Sequence, residues 1–168
     1  VIQYITLDGR DAPGAVARIE AGSFGMVNGA ARIAGYSGDL DYALSATLNT
    51  TDGTPGARNG TRDLANDSGA VSLKTTFAPS TNARLTGVLR YARTNAEFND
   101  SDSDPGSPTF GFQVDSPGNR FENEAIYVLI RGELDLLDDR WTQAFSAQIA
   151  DTRRDGFAST GRSYGSEG

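Results

Sequence analysis

The sequence predicts an all-β protein, an antiparallel meander whose strands suit a membrane-lining wall better than a soluble core. Three observations predict it: a period of two in the apolar residues, strands longer than those of most soluble domains, and connections that alternate short with long. The 168 residues include 20 Gly and 6 Pro beside many Ser, Thr, Asn and Asp, a composition that favours strands and turns over helices. In a strand successive side chains point to opposite faces, so a one-sided environment writes alternation into the chain.

Seven runs carry that signal. Ala15 to Ala21 and Val27 to Gly35 are the weaker pair, with Ile19 and Ile33 opposed to Arg18, Glu20, Asn28 and Arg32. From Leu40 to Asn49 the series Leu40, Tyr42, Leu44, Ala46 and Leu48 interleaves with Asp41, Ala43, Ser45, Thr47 and Asn49. Val71, Leu73, Thr75 and Phe77 alternate with Ser72, Lys74 and Thr76, and Leu85, Gly87, Leu89 and Tyr91 alternate with Arg84, Thr86 and Arg90, where only Val88 breaks the pattern. Ile126, Val128, Ile130, Leu134 and Leu136 oppose Tyr127, Arg131, Glu133 and Asp135. Trp141, Phe145, Ala147 and Ile149 oppose Thr142, Ser146 and Gln148.

The connections Tyr36–Asp39, Pro79–Asn82 and Leu137–Asp139 read as tight turns of polar and breaker residues, and Gly22–Gly25 is short as well. Thr51–Gly69 and Asn95–Phe121 read as long loops, with Thr152 onward as a third long link. Short turns at one end and long loops at the other are the outer-membrane barrel pattern. A tilted membrane strand needs about 9–11 residues, whereas globular strands peak near 5–6, and these runs span about 9–15. Tyr42, Phe77 and Trp141 share the apolar parity near the short turns, as one interfacial girdle would, and Tyr91 suits the opposite girdle. Seven strands cannot close a single-chain barrel, so the remaining wall is expected downstream; strand spacing suggests a class of about 22 strands and roughly 500 residues.

The absence of Cys and His removes disulfides, thiolate nucleophiles and the commonest zinc ligands and general base. Net charge is −7, from 22 acidic against 15 basic residues, which argues against nucleic acid as a partner. No run of about 18 apolar residues offers a transmembrane helix. No signal peptide precedes Val1, and the chain reads as an excerpt of a longer polypeptide.

The run Val1, Ile2, Gln3, Tyr4, Ile5, Thr6 resembles the V-I-N-I-I-T segment with which TonB-dependent outer-membrane receptors finish their plug domain. Ala21-Gly22-Ser23-Phe24-Gly25 and Leu40-Asp41-Tyr42-Ala43-Leu44-Ser45-Ala46 are similar to the early barrel of the cobalamin-transporter-like branch. The resemblance implies that residues 1–8 end the plug and 9–168 form the first strands of the barrel. It further implies a Gram-negative outer-membrane location, a lipid-facing wall, and import of a scarce nutrient such as a siderophore, cobalamin or a sugar. TonB would act through an N-terminal box absent from this chain, and no enzymatic step is implied.

The same resemblance suggests calcium in the outer loops. Asn66 and Asp67 match an Asn-Asp pair, Arg93, Thr94, Asn95 and Glu97 resemble an R-T-N-x-D stretch with Glu for Asp, and Asp115 is a further acid; Ala65 and Ala96 depart from the pattern. The candidate metal set is therefore Asp67, Glu97 and Asp115, against the plainer reading of solvated loop acids. Arg58 and Arg62 are candidates for holding an anionic ligand. Asp100, Asp102 and Asp104 read as a charged loop tip, because no calcium-loop glycine or glutamate follows in register. Arg18, Glu20, Arg32, Arg84, Arg90, Arg131 and Glu133 are expected on the lumen side, against plug or water. The alternative to the barrel is a soluble or surface β-sandwich serving in binding or adhesion, which shares the period of two. A glycosidase-like enzyme would need two converging acids, and no pair stands out.

Overall fold

The computed structural model describes residues 8–137, 140–159 and 161–168. The run Val1–Thr6 and the middle of the predicted turn at 138–139 lie outside the described residues. The strands are β1 (Gly14–Ala21), β2 (Val27–Ser37), β3 (Leu40–Thr51), β4 (Asn66–Ser80), β5 (Ala83–Glu97), β6 (Asp100–Ser101), β7 (Gln113–Val114), β8 (Arg120–Leu136), β9 (Trp141–Ala158) and β10 (Gly161–Glu167). Eight of them form one antiparallel sheet in the order β1-β2-β3-β4-β5-β8-β9-β10, and β6 and β7 make a separate hairpin within the loop after β5. The sheet is a meander that does not close on itself.

Register gives this sheet two unlike faces. Ile33 pairs with Leu44, Leu44 with Leu73, Leu73 with Leu89, Leu89 with Val128 and Val128 with Ile149, so one apolar row crosses six strands. No second layer covers that face among the described residues. Leu48 is 56%, Phe145 61% and Ile149 69% exposed, and the buried apolar side chains are Ala34 and Ala96. A soluble sandwich would bury these side chains against its other sheet.

The sequence reading is corrected at the long-loop end. Thr152 onward is not a loop: β9 runs through it to Ala158 and turns into β10, which makes eight main strands where seven were expected. β4 begins at Asn66, β5 continues to Glu97 and β8 begins at Arg120, so the two long loops shrink to 52–65 and 98–119. Past the apolar stretch both faces are polar, so alternation vanishes while the backbone ladder continues. In this extension Arg93 stands opposite Glu124, Glu124 opposite Arg153, and Arg153 opposite Glu167, a cross-strand ladder of alternating sign.

Two local devices shape the sheet. In the β2–β3 turn Gly38 adopts φ +58°, a left-handed conformation that a side chain resists. Aromatic rings lie over cross-strand glycines, Tyr42 over Gly35 and Phe145 over Gly132 on the apolar face and Tyr164 over Gly156 on the polar one, where a Cβ would strike the ring.

Residues 8–11 pack on the polar face near the short turns. Asp8 pairs with Lys74 at 2.6 Å and Arg10 Nε with Asp41 at 2.6 Å, while Arg10 also donates to the Gly38 carbonyl at 2.7 Å and lies over the Tyr36 ring. Lys74 is the sole lysine of the chain, and its side chain is 17% exposed in that pair.

Candidate functional site

The loops 52–65 and 98–119 join into one cap, and Arg62 is its strut. Its guanidinium donates to the Phe98 carbonyl at 3.0 Å, to Asn99 Oδ1 at 3.1 Å and to the Asn119 carbonyl at 3.2 Å, and pairs with Glu97 at 3.3 Å. With a side chain only 15% exposed, Arg62 holds the cap together from inside rather than reaching out to solvent. Asp115 Oδ2 accepts the backbone N–H groups of Thr61 at 2.8 Å and Arg62 at 3.2 Å. Arg58 is the outward arginine, its guanidinium 4.5 Å from the centre of the half-exposed Phe112 ring.

Arg62, Glu97 and Asp115 are thus brought together, as an internal network. Asp67 lies apart, on the apolar parity of β4, and accepts a hydrogen bond from the Thr50 hydroxyl. Among the described residues no three His, Cys, Asp or Glu side chains are grouped to hold a metal ion. At the loop tip Asp102 is held below the usual carboxylate range by the Ser107 hydroxyl first, then by the Thr109 hydroxyl and the Asp104 N–H. Asp104 N–H donates to Asp102 Oδ1 at 2.9 Å and Thr109 Oγ1 to Oδ2 at 2.6 Å, so this acid is committed to folding its own loop.

The polar face carries an arrangement that sequence reasoning missed. Just below the cap, Asn28, Asn49, Ser68, Thr94, Asn123 and Arg154 stand in one cross-strand row, with Asn49 and Asn28 hydrogen-bonded side chain to side chain. The next row on the same face is Ala30, Thr47, Ala70, Ala92, Ala125 and Thr152, all small. A third row follows with Arg32, Ser45, Ser72, Arg90 and Tyr127. Each residue alone is an ordinary polar strand position. The pattern exists only once the register is known.

On the apolar face the predicted girdle residues trace an oblique line. Tyr42 is in register with Thr75, Gly87, Ile130 and Ala147 across β3, β4, β5, β8 and β9, yet Trp141 lies six residues beyond Ala147 toward the short turns. Six residues are about 20 Å along a strand and four strand spacings about 19 Å across, a slope near 45°. Phe77 falls between, one same-face row beyond Thr75. At the other border Leu48 is in register with Gly69, Arg93, Glu124 and Arg153, while Ile149, where the continuous apolar series of β9 on this face ends before Asp151, lies four residues short of Arg153. That is about 13 Å over about 19 Å, a slope near 35° in the same sense. Tyr91, on β5, lies along this upper border, next to Arg93. One hollow on this face, about 460 Å³, lies over Ala46, Gly69 and Val71 and is bordered by Leu48 and Tyr91, with Asp67 and Arg93 at its polar edge.

No family model matches the chain, and neither a curated protein nor a solved structure matches it.

Proposed function

We propose that the chain is part of the wall of a large outer-membrane β-barrel of the TonB-dependent receptor type, which imports a scarce nutrient into the periplasm. The observation that carries the reading is the oblique apolar band. Both of its borders cross the register rows at about 35–45°, the tilt of strands in a membrane barrel, whereas a level band would imply upright strands. Along β8 the apolar series runs from Ile126 to Leu136. At about 3.3 Å per residue and a tilt near 40°, that is about 25 Å of height, the hydrocarbon span of such a wall.

In this reading the face of Leu44, Leu73 and Ile130 meets lipid, the row of Arg32 and Arg90 faces the lumen, and the cap braced by Arg62 stands outside the cell. Wall strands belonging to the rest of a barrel of about 22 strands would continue from the unpaired sides of β1 and β10. The TonB complex is the energy-coupling partner and a small nutrient molecule the cargo; the wall itself performs no covalent chemistry. Calcium on Asp67, Glu97 and Asp115 would require these acids to converge, and the Arg62 network competes for two of them.

A cysteine scan tests the assignment, since the chain has no native Cys to confuse it. Leu44, Leu73, Ile130 and Phe145, converted singly to Cys in the membrane-embedded protein, should resist a water-borne maleimide, while Ser45, Ser72 and Arg131 replaced likewise should react. Labelling of the first group as fast as the second would mean that this face meets water and not lipid.

A further inference from the structure

The block of three rows on the polar face is unlike the rest of the chain in charge. In a sequence with 22 acidic residues, the rows from Asn28 to Arg154, from Ala30 to Thr152 and from Arg32 to Tyr127 contain three arginines and no acid between β2 and β9, and Glu20 stands opposite Asn28 at the β1 end. Arg32, Arg90 and Arg154 form no ion pair among the described residues, a state they share with Arg58, Arg84 and Arg140, whereas Arg10, Arg18, Arg62, Arg93, Arg120, Arg131, Arg153 and Arg162 are paired. Of the acids of this face, Glu20 pairs with Arg18 at the β1 edge of the block, while Asp41 with Arg10 and Glu133 with Arg131 lie outside it.

Shape follows from side-chain size. The row of Ala and Thr is a floor about 24 Å long, and the rows on either side, about 13 Å apart, are its walls. One wall is made of amides and hydroxyls, each of which both donates and accepts, and ends in Arg154; the other carries Ser45 and Ser72 between the Arg32 and Arg90 guanidinium groups, with the Tyr127 hydroxyl beyond Arg90. At one end Arg154 lies 5.0 Å over the Phe121 ring, and Phe121 contacts Phe98 at 6.4 Å between centroids. Guanidinium groups pair with carboxylate or phosphate in a bidentate fork, amides and hydroxyls pair with hydroxyls, and an aromatic face stacks on sugar C–H groups.

We propose that this trough binds an anionic, hydroxyl-rich ligand, an acidic oligosaccharide in chemical class, with Arg32 and Arg90 on its acid groups and Asn49 and Asn123 on its hydroxyls. The proposal rests on the reading of this face as a lumen wall and goes beyond it by naming the class of cargo. An uncharged glucan would leave the arginines unanswered, and an apolar ligand would strip water from both walls without replacing its hydrogen bonds.

The test is titration of the membrane-embedded protein with three probes: a short oligogalacturonate, maltohexaose as its uncharged counterpart, and a short polyglutamate as an acidic polypeptide. Oligogalacturonate should bind at least about tenfold more tightly than maltohexaose, since each charge-assisted pair is worth about a factor of ten, and severalfold more tightly than polyglutamate, which matches the arginines but offers no hydroxyls to Asn49 and Asn123. Arg90→Gln should weaken it about tenfold and Asn49→Leu severalfold, with the unfolding transition of both variants unchanged. Equal binding of maltohexaose, equal binding of polyglutamate, or indifference to both substitutions would overturn the proposal. So would failure of oligogalacturonate to bind a preparation in which bromolipids quench Trp141, because quenching shows the wall inserted and leaves only the ligand assignment at fault. Absence of that quenching would instead remove the barrel reading and the trough with it.

Discussion

Tyr42 and Ala147 occupy the same register row on the apolar face, and this row is where a tilted wall and an upright sheet differ most. If the band is tilted, Tyr42 lies at the interface near the short turns, level with Trp141, while Ala147 lies well inside the hydrocarbon. The separation is the six residues from Ala147 to Trp141, about 20 Å along β9, which projects to about 15 Å of depth at a tilt near 40°. Trp141 is the single tryptophan, so Trp141→Phe gives a dark background into which Tyr42→Trp or Ala147→Trp introduces one reporter. Both positions face outward, and the ring at 147 has open space before it. Quenching by lipids brominated at successive acyl carbons should place Trp at 42 close to the headgroups and Trp at 147 near mid-membrane, with a blue-shifted emission only for the latter. Equal depths would refute the tilt, and with it the barrel geometry; indifference of both reporters to bromolipid would refute lipid contact altogether.

Other outcomes follow from the same structure. Ile130→Arg, near the middle of the band, should destabilise the membrane-folded protein by about 2–4 kcal/mol in a denaturant titration, and Leu136→Arg, at its border, by about 0–1; similar losses at both would contradict the assigned depth. Gly132→Ala should cost about 1–3 kcal/mol, because the new methyl meets the Phe145 ring, and Phe145→Leu should recover part of that loss; additive effects of the two changes would rule out the contact. Arg62→Met strands the Phe98 carbonyl, removes one of the two hydrogen bonds to the Asn119 carbonyl and leaves Glu97 without its guanidinium, and opening of loop 98–119 should become easier by about 2–3 kcal/mol, read as amide exchange tens to hundreds of times faster. Unaltered exchange there would remove Arg62 from its role as strut.

A last prediction concerns pH. Asp102 is lowered in the folded loop, so its carboxylate stabilises that loop at neutral pH; the contribution is present above the ordinary carboxylate value of 3.8 and is lost as pH falls through the lowered one. Protection of the amides of Asp104 and Phe112 should therefore persist to pH 4 and fade only below it. Fading between pH 6 and 5 would point to another group.

Period-two alternation, visible in residues such as Leu40 to Leu48 and Ile126 to Leu136, was sufficient to determine an antiparallel meander with one apolar face, because side-chain direction in a strand is local geometry. Gly38 and the polar turn residues placed the short connections for the same reason. The strand ends beyond that face were illegible: Asp151 to Asp155 has polar residues on both sides, and pairing with Glu122 to Ile126 on one side and with Gly165 to Glu167 on the other holds it extended. Arg58 and Arg62 look alike in sequence, yet the cap turns one outward onto Phe112 and the other inward onto three acceptors, a difference made by residues up to 57 positions away. The slope of the apolar band and the acid-free trough are likewise products of register. Each is a relation between strands, and hydrogen-bond pairing across the sheet decides it where no neighbouring residue can.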